Sequence, residues 1–134
     1  MSGGGRVMIN VDDLIGVKYR KNGRTKEEGF DCYGLAIEVL KRFGHELPDI
    51  ENARKDDYDF NECHLLVLKK VKVEEIPEPQ TAGDVVLIKQ MGKAMTHIGV
   101  YMGNGQVIHC NISGVHIEKL SRLNGMIGRC YKWL

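Results

Sequence analysis

Several features typical of common protein classes are missing from this sequence. Lysine and arginine total 19 against 18 aspartate and glutamate residues, so the chain lacks the positive excess with which proteins neutralise a phosphate backbone. No stretch approaches the roughly 18 consecutive apolar residues of a membrane span, and residues 1–10 lack the apolar core of a signal peptide. We therefore expect no nucleic acid partner, no membrane insertion and a chain that is cytoplasmic as synthesised.

The four cysteines are not arranged in the closely spaced pairs of zinc sites and redox motifs. Without an export signal we expect them to be free thiols. Two of them have a histidine beside them, in Cys63-His64 and His109-Cys110. Adjacent residues on a strand point to opposite faces, so such a pair is poorly placed to bind one ion. We predict no metal ion and no cofactor.

The length and composition fit a single domain. A chain of 134 residues, 43% of them hydrophobic, can form its own core but is short for two domains. Residues 1–9 are rich in glycine and are predicted to form a flexible N-terminal segment. Residues 10–134 are then the domain.

The clearest predicted element is a helix over residues 32–43, where apolar side chains recur at helical spacing. Asp31 is a natural N-cap for this helix, and Gly44 is a natural stop. Asn10 followed by Asp13 resembles a capping box and predicts a short helix at the N-terminal end of the domain.

The second half of the chain changes character. After a weaker helix predicted around residues 60–69, short runs rich in β-forming residues are separated by glycine-containing turns. These runs lie at residues 71–76, 85–88, 98–102, 107–111, 115–117 and 130–133. Helices followed by an antiparallel meander predict an α+β fold.

Cys32 stands where a cysteine can gain reactivity. At the start of a helix, unpaired N–H groups and the helix dipole favour the thiolate, which is the nucleophilic form. Gly34 adds little bulk over the first turn, so a base or a substrate carbonyl could come close. The alternative is a buried cysteine that simply opens a core helix.

A β-hairpin is predicted with His97 on its first strand and His109 on its second. Because strand side chains alternate, the loop length decides whether the two imidazoles share a face. A three-residue loop of residues 103–105 would pair His109 with Gly99 and make the histidines diagonal neighbours on one face. A two-residue loop would place them on opposite faces.

These residues together suggest a nucleophile, a base and an orienting group. Cys32 would give its proton to His97, forming a thiolate and an imidazolium, while His109 would fix the tautomer and angle of His97. A single strand histidine is more often a structural residue bonded to a carbonyl. Two histidines on one sheet face, with a cysteine at a helix start, favour a catalytic site.

Three stretches follow one another along the chain, LIGVKYRKNGRTKEEGFDCYGLAIEVLKRFG, GDVVLIK and HIGVYMGNGQVIH. They contain an Asp-Cys-x-Gly-Leu helix start, a Gly-Asp ahead of a strand, and His-x-Gly-x-Tyr-x-Gly ahead of a second histidine. This order resembles the NlpC-type cell-wall cysteine peptidases over residues 14–109. The resemblance implies a papain-like fold with N-terminal helices packed on an antiparallel sheet. It also implies Cys32 as nucleophile, His97 as base and His109 as the third polar residue.

The resemblance extends to substrate binding. It implies that Tyr19 matches the family's active-site tyrosine and Asp31 the residue before the nucleophile, which helps to hold a substrate amine in several relatives. The alternatives are a loop aromatic for Tyr19 and a plain N-cap for Asp31. Tyr33 replaces the usual serine and is a third substrate-binding candidate. This aromatic residue, with the segment at residues 46–49, is more similar to the phage-tail branch of the family.

By this resemblance the chain is expected to hydrolyse peptidoglycan stem-peptide amides, at the bond between D-glutamate and a diamino acid. Phage or prophage tail proteins are the expected assembly partners, and the virion tail is the expected destination. The Cys32 N–H and the Tyr19 hydroxyl are candidate oxyanion donors. Two alternatives stay open, namely a tail assembly protein with little or no turnover, and a cysteine amidase or acyltransferase acting on a substrate other than peptidoglycan.

Overall fold

A computed structural model describes residues 9–49, 70–89 and 95–134 of the chain. The described part holds a two-stranded ribbon, one α-helix and a six-stranded antiparallel sheet. In chain order the elements are β1 (Arg24–Thr25), β2 (Gly29–Phe30), α1 (Cys32–Arg42), β3 (Val73–Ile76), β4 (Val85–Lys89), β5 (Met95–Gly103), β6 (Gln106–Asn111), β7 (Gly114–Lys119) and β8 (Ile127–Trp133).

Helix α1 forms as the sequence predicts. The Asp31 side chain accepts a hydrogen bond of 2.7 Å from the Gly34 N–H, which satisfies one of the unpaired donors of the first turn. Phe43 is the C-cap, and Gly44 follows with φ +90°, a conformation that favours glycine. Lys41 and Arg42 lie in the last turn, where positive charge interacts favourably with the helix dipole.

The six strands are ordered β3-β8-β4-β5-β6-β7. Strands β4 to β7 form the predicted meander, with each strand hydrogen-bonded to the next one in the sequence. A simple meander over the whole second half is wrong, because β8 returns to pair with both β3 and β4. The C-terminal strand is therefore an interior strand, between the edge strand β3 and β4.

The core lies mainly between α1 and one face of the sheet. Leu35, Val39 and Leu40 of the helix are buried in the same apolar cluster as Ile98 of β5 and Ile108 of β6. The other face of the sheet carries a second buried cluster, made by Ile76, Val86, Ile88, Tyr101, Val107, Leu123 and Cys130. Alternation along β4, β5 and β6 divides their side chains between the two clusters.

Part of the predicted N-terminal architecture is wrong. Residues 12–16 form turns rather than the short helix predicted from Asn10 and Asp13. The Asn10 side chain accepts a hydrogen bond of 2.8 Å from the Asp12 N–H, which favours a turn over a helix at this point. The helix predicted around residues 60–69 and most of the flexible segment at residues 1–9 lie outside the described residues. None of the helices that the structure describes is long and apolar enough to cross a membrane.

Gly34 packs against the chain's own loop. A Cβ atom at this position would collide with the carbonyl oxygen of Gly23, and it would lie 3.2 Å from a side-chain nitrogen of Arg24. The Gly23 carbonyl is itself fixed, because it accepts hydrogen bonds from Arg24 and from the Asp31 N–H. The space predicted at Gly34 for a base or a substrate carbonyl is therefore filled by the loop before β1.

Replacing Gly34 by alanine is expected to lower the free energy of unfolding by about 2 kcal/mol, since an overpacking cost outweighs the gain of about 1 kcal/mol in helix propensity. Chemical denaturation of the two proteins would measure the difference. Gly44→Ala is the control, because a Cβ there meets nothing within 4 Å and the cost is only the positive φ, about 1 kcal/mol. A larger loss at Gly44 than at Gly34 would contradict this account.

Candidate active site

Cys32 begins α1 and is half-buried, with a free thiol. Burial and the nearby charge of Asp31 raise the pKa of the Cys32 thiol to about 12, although backbone hydrogen bonds from Ile98 and Tyr33 act to lower it. The Tyr33 contribution is the helix-start effect predicted from the sequence, but desolvation outweighs it. The bond to Ile98 brings the sulfur against β5, at the residue that follows His97.

The hairpin of β5 and β6 has the predicted register. His109 lies opposite Gly99, and a Cβ at Gly99 would lie 3.4 Å from the Cβ of His109. The strands close around Asn104-Gly105, but the pairing shifts between Tyr101 and Gly103, so one extra residue stands in β5. Because of this extra residue, the short turn at Asn104-Gly105 produces the same strand register as the predicted three-residue loop. Three successive positive φ angles, at residues 103–105, accompany it.

Two buried histidines and a glutamate form a continuous hydrogen-bonded chain across three strands. His97 Nε2 lies 2.8 Å from His109 Nδ1, and His109 Nε2 lies 2.8 Å from Glu118 Oε1. Both histidines are only 4% exposed. The prediction that the two histidines are diagonal neighbours on one face agrees with this geometry. We refer to His97, His109 and Glu118 as the relay.

The relay fixes the tautomers of both rings. The hydrogen bond from His109 lowers the pKa of Glu118, so its carboxylate is ionised at neutral pH and can only accept hydrogen bonds. His109 therefore carries its proton on Nε2, and its Nδ1 accepts the proton that His97 carries on Nε2. The Nδ1 atom of His97 is left with a lone pair, which is the arrangement a general base requires.

Both members of the predicted ion pair are uncharged at rest. Burial, together with the neighbouring His109 and His116, lowers the pKa of His97 to about 3, while that of Cys32 is raised. Among the described residues no hydrogen bond joins the Cys32 sulfur to either imidazole. A thiolate and an imidazolium would thus have to form together, as the sulfur approaches the ring, because their mutual attraction must offset the desolvation of both.

Folding stability is expected to fall in mild acid because of His97. An imidazole in the unfolded chain binds a proton near pH 6.5, whereas in the folded chain its pKa is about 3. The contribution is therefore fully present above pH 6.5 and is lost as the pH falls towards 3, with a slope approaching about 1.4 kcal/mol per pH unit for this group. Urea unfolding at about pH 7 and about pH 4.5 would measure it. His97→Gln should flatten this dependence, and an unchanged slope would count against a neutral His97.

The three substrate-binding candidates surround the start of α1 in different ways. Tyr19 is 40% exposed, and burial, with the charges of Asp31 and Cys32, raises its pKa, so the hydroxyl stays protonated. Asp31 caps the helix, as predicted, and its Oδ1 also accepts a hydrogen bond of 2.8 Å from Arg24. Tyr33 is buried, with its hydroxyl donating to the carbonyl of Pro48 at 2.6 Å. The substrate-binding roles of these residues stay predictions.

Two residues beside the relay are not among the site residues predicted from the sequence. From the sequence His116 is expected to be a loop or surface residue, and no role is predicted for Glu118. Both lie on β7, two residues apart and therefore on one face, with His116 directly opposite His109. The signal that could have found them is the pattern His-x-Glu after the Ser113-Gly114 turn, once β7 is aligned with β6.

The comparisons with known proteins agree with this fold. Residues 16–127 match the model of the NlpC/P60 family, and the chain belongs to that family. It is 33% identical over 116 residues to the bifunctional muramidase/DL-endopeptidase CwlT of Bacillus subtilis (strain 168), an alignment that covers 85% of this chain and 31% of CwlT. It is also 33% identical over 118 residues to the murein DD-endopeptidase MepS/murein LD-carboxypeptidase of Escherichia coli (strain K12), covering 87% of this chain and 54% of MepS.

A solved structure shows the same fold. The NlpC/p60 domain of the peptidoglycan hydrolase SagA superposes with a TM-score of 0.55 at 15% identity, covering 90% of this chain and 89% of that chain. The predicted α+β, papain-like fold is thus confirmed, and so is the predicted family. The chain spans about a third of CwlT and about half of MepS.

Proposed function

We propose that this chain is a cysteine endopeptidase that hydrolyses the stem peptides of peptidoglycan. Cys32 is the nucleophile, His97 the base, and His109 the residue that orients His97. The observation that carries the proposal is the buried relay. Its His97 directly precedes Ile98 in the sequence, and the Ile98 backbone forms a hydrogen bond to Cys32. Membership in the NlpC/P60 family and the murein endopeptidase names of its relatives support the same reading.

The chemistry follows from the free lone pair of His97. Nδ1 takes the proton of Cys32 as the sulfur attacks the carbonyl carbon of a stem-peptide amide, and the resulting imidazolium then protonates the leaving amine. Water hydrolyses the thioester, with His97 again acting as base. The Cys32 N–H at the helix start and the protonated Tyr19 hydroxyl are the proposed donors to the oxyanion.

We assign the cleaved bond to the junction between D-glutamate and the diamino acid. The DL-endopeptidase name of CwlT supports this choice, whereas the names of MepS refer to DD and LD bonds. The test is incubation of the purified chain with stem peptides of defined sequence that offer each of these bonds separately. Mass spectrometry of the products should detect cleavage after D-glutamate and new amino groups on the diamino acid.

Other outcomes of the same experiment would replace the proposal. Cleavage only at a DD or LD bond would contradict the assigned specificity but would leave the peptidase assignment intact. No cleavage of any stem peptide, with rapid alkylation of Cys32, would favour an amidase or acyltransferase acting on another substrate. No cleavage, with uniformly slow thiols, would favour a tail assembly protein that retains the fold.

We further propose that the chain is associated with a phage or prophage tail. The aromatic Tyr33 and the segment at residues 46–49 support this assignment through their similarity to the phage-tail branch. Tyr33 bonds the carbonyl of Pro48, and Arg24 bonds Asp49, so this segment is part of the structure around the helix start. Mass spectrometry of purified tail particles should detect the chain, and its consistent absence from them would reject the association.

A further inference from the structure

A second use of the relay residues is suggested by the side chains on β7. His116 Nε2 lies 3.6 Å from Glu118 Oε1, and His109 Nε2 lies 2.8 Å from the same oxygen. The candidate ligand atoms of these three residues all lie within 4.8 Å of one another. The backbone register produces this cluster, because His109 and His116 are directly paired and Glu118 shares the face of His116.

Both histidines are already oriented as metal ligands usually are. A ligating imidazole typically has its other ring nitrogen held by a carbonyl or another polar group, which fixes the ring. His116 Nδ1 donates to the carbonyl of Gly114 at 3.1 Å, which leaves the lone pair of Nε2 free. His109 Nδ1 is held by His97, which leaves Nε2 as its outward atom.

The cluster also has the exposure of an open site. The side chain of His109 is 5% exposed, whereas those of His116 and Glu118 are 35% and 29% exposed. A small ion can therefore reach the ligands from solvent, and a water molecule can occupy a further coordination position. Two imidazoles and one carboxylate with an open position form a ligand set that binds Zn²⁺ and other first-row divalent ions.

We propose that His109, His116 and Glu118 form a binding site for a divalent transition metal, and that the metal-loaded chain cannot use its relay. The second clause rests on the proposed peptidase function, and the first does not. Glu118 and His109 belong to both arrangements, so the carboxylate either accepts a hydrogen bond from His109 or binds the ion beside it.

Metal binding would change which ring nitrogens of His109 and His97 carry a proton. An ion on His109 Nε2 requires a lone pair there, so the single proton of the neutral ring must stand on Nδ1. This N–H then donates to His97 Nε2, and the proton of His97 moves to its own Nδ1. No proton is gained or lost, but the atom that would accept the Cys32 proton now carries one. Metal binding thus converts His97 from a base into a donor.

The site is tested first without any turnover. The full chain carrying Cys32→Ala, which cannot bind metal through that sulfur, is titrated with Zn²⁺ by calorimetry and with Co²⁺ by absorption spectroscopy. We expect one equivalent to bind with nitrogen and oxygen ligands only. Adding His116→Ala should weaken binding by at least about 10-fold, the lower end of what loss of even an outer-shell partner costs. His45→Ala, which removes the histidine stacked on Trp133, should leave the affinity unchanged.

Several results would overturn the site. These are no binding, binding that survives His116→Ala, or a sulfur-to-cobalt charge-transfer band. The inhibitory clause is tested in the unmodified chain, where Zn²⁺ should suppress stem-peptide cleavage and a chelator should restore it. Inhibition is expressed relative to the metal-free activity of each variant, and it should be weaker in the His116→Ala chain by the same factor as the affinity. Equal inhibition in both chains would mean that Zn²⁺ acts at Cys32, even if the site binds.

Discussion

Cys32→Ala is expected to lower the rate of stem-peptide cleavage by at least about 10³-fold, because an alanine side chain at the position of the proposed nucleophile cannot form the acyl intermediate. The substitution removes only a sulfur atom from a half-buried position, so the fold should be retained. Cleavage is measured by mass spectrometry of the released peptides, and the fold by circular dichroism. In the unmodified chain, a thiol alkylator should modify Cys32 and abolish cleavage in parallel.

Cys130→Ala is the matched control for this change. Cys130 is a buried free thiol in the second core cluster, on the face of the sheet away from α1. Its loss should cost stability through a small cavity and leave cleavage unchanged. If Cys32→Ala retained more than about a tenth of the activity, Cys32 would not be the nucleophile.

His97→Gln is expected to lower kcat/KM by about 10³-fold, within the range that general bases contribute. Burial keeps the Cys32 pKa near 12, so a thiol without a base is almost entirely protonated at neutral pH. The same variant should therefore lose the rapid alkylation of Cys32 at neutral pH and regain it only in strong alkali. The pH profile of alkylation separates this role from a purely structural one.

His45→Gln provides the comparison for His97. His45 stacks on Trp133 at a centroid distance of 4.5 Å, and the two rings are nearly parallel. This site belongs to neither the relay nor the start of α1, so cleavage and alkylation should match the unmodified chain. An alkylation profile in His97→Gln that is the same as in this control would remove His97 from the mechanism.

Local sequence patterns were sufficient for much of the fold. Asp31 and Gly44 bound the helix correctly because capping depends on the few residues at each end. The pairing of His109 with Gly99 was also correct, because the run of positive φ at residues 103–105 is a property of the turn itself. Each of these features depends on residues within about one turn of chain, so the local sequence is sufficient to predict it.

What the sequence could not supply depends on contacts between distant residues. Nothing local indicates that β8 inserts between β3 and β4. The filled space at Gly34 arises from Gly23, which packs there only once the ribbon of β1 and β2 has formed. Glu118 joins the relay through the register of β7, which an isolated strand does not encode. The raised pKa of Cys32 likewise reflects burial by the whole domain.

In the proposed mechanism the nucleophile lies on α1 and the base lies on the sheet, so activity is expected to depend on the volume of the core between them. Cys32 moves with α1, while the imidazoles are carried by β5 and β6, and Ala36 is buried in the cluster that separates these elements. A methyl group gained or lost there is expected to move the helix relative to the sheet, because a close-packed core transmits strain. Core substitutions that do not contact a substrate are therefore expected to change turnover.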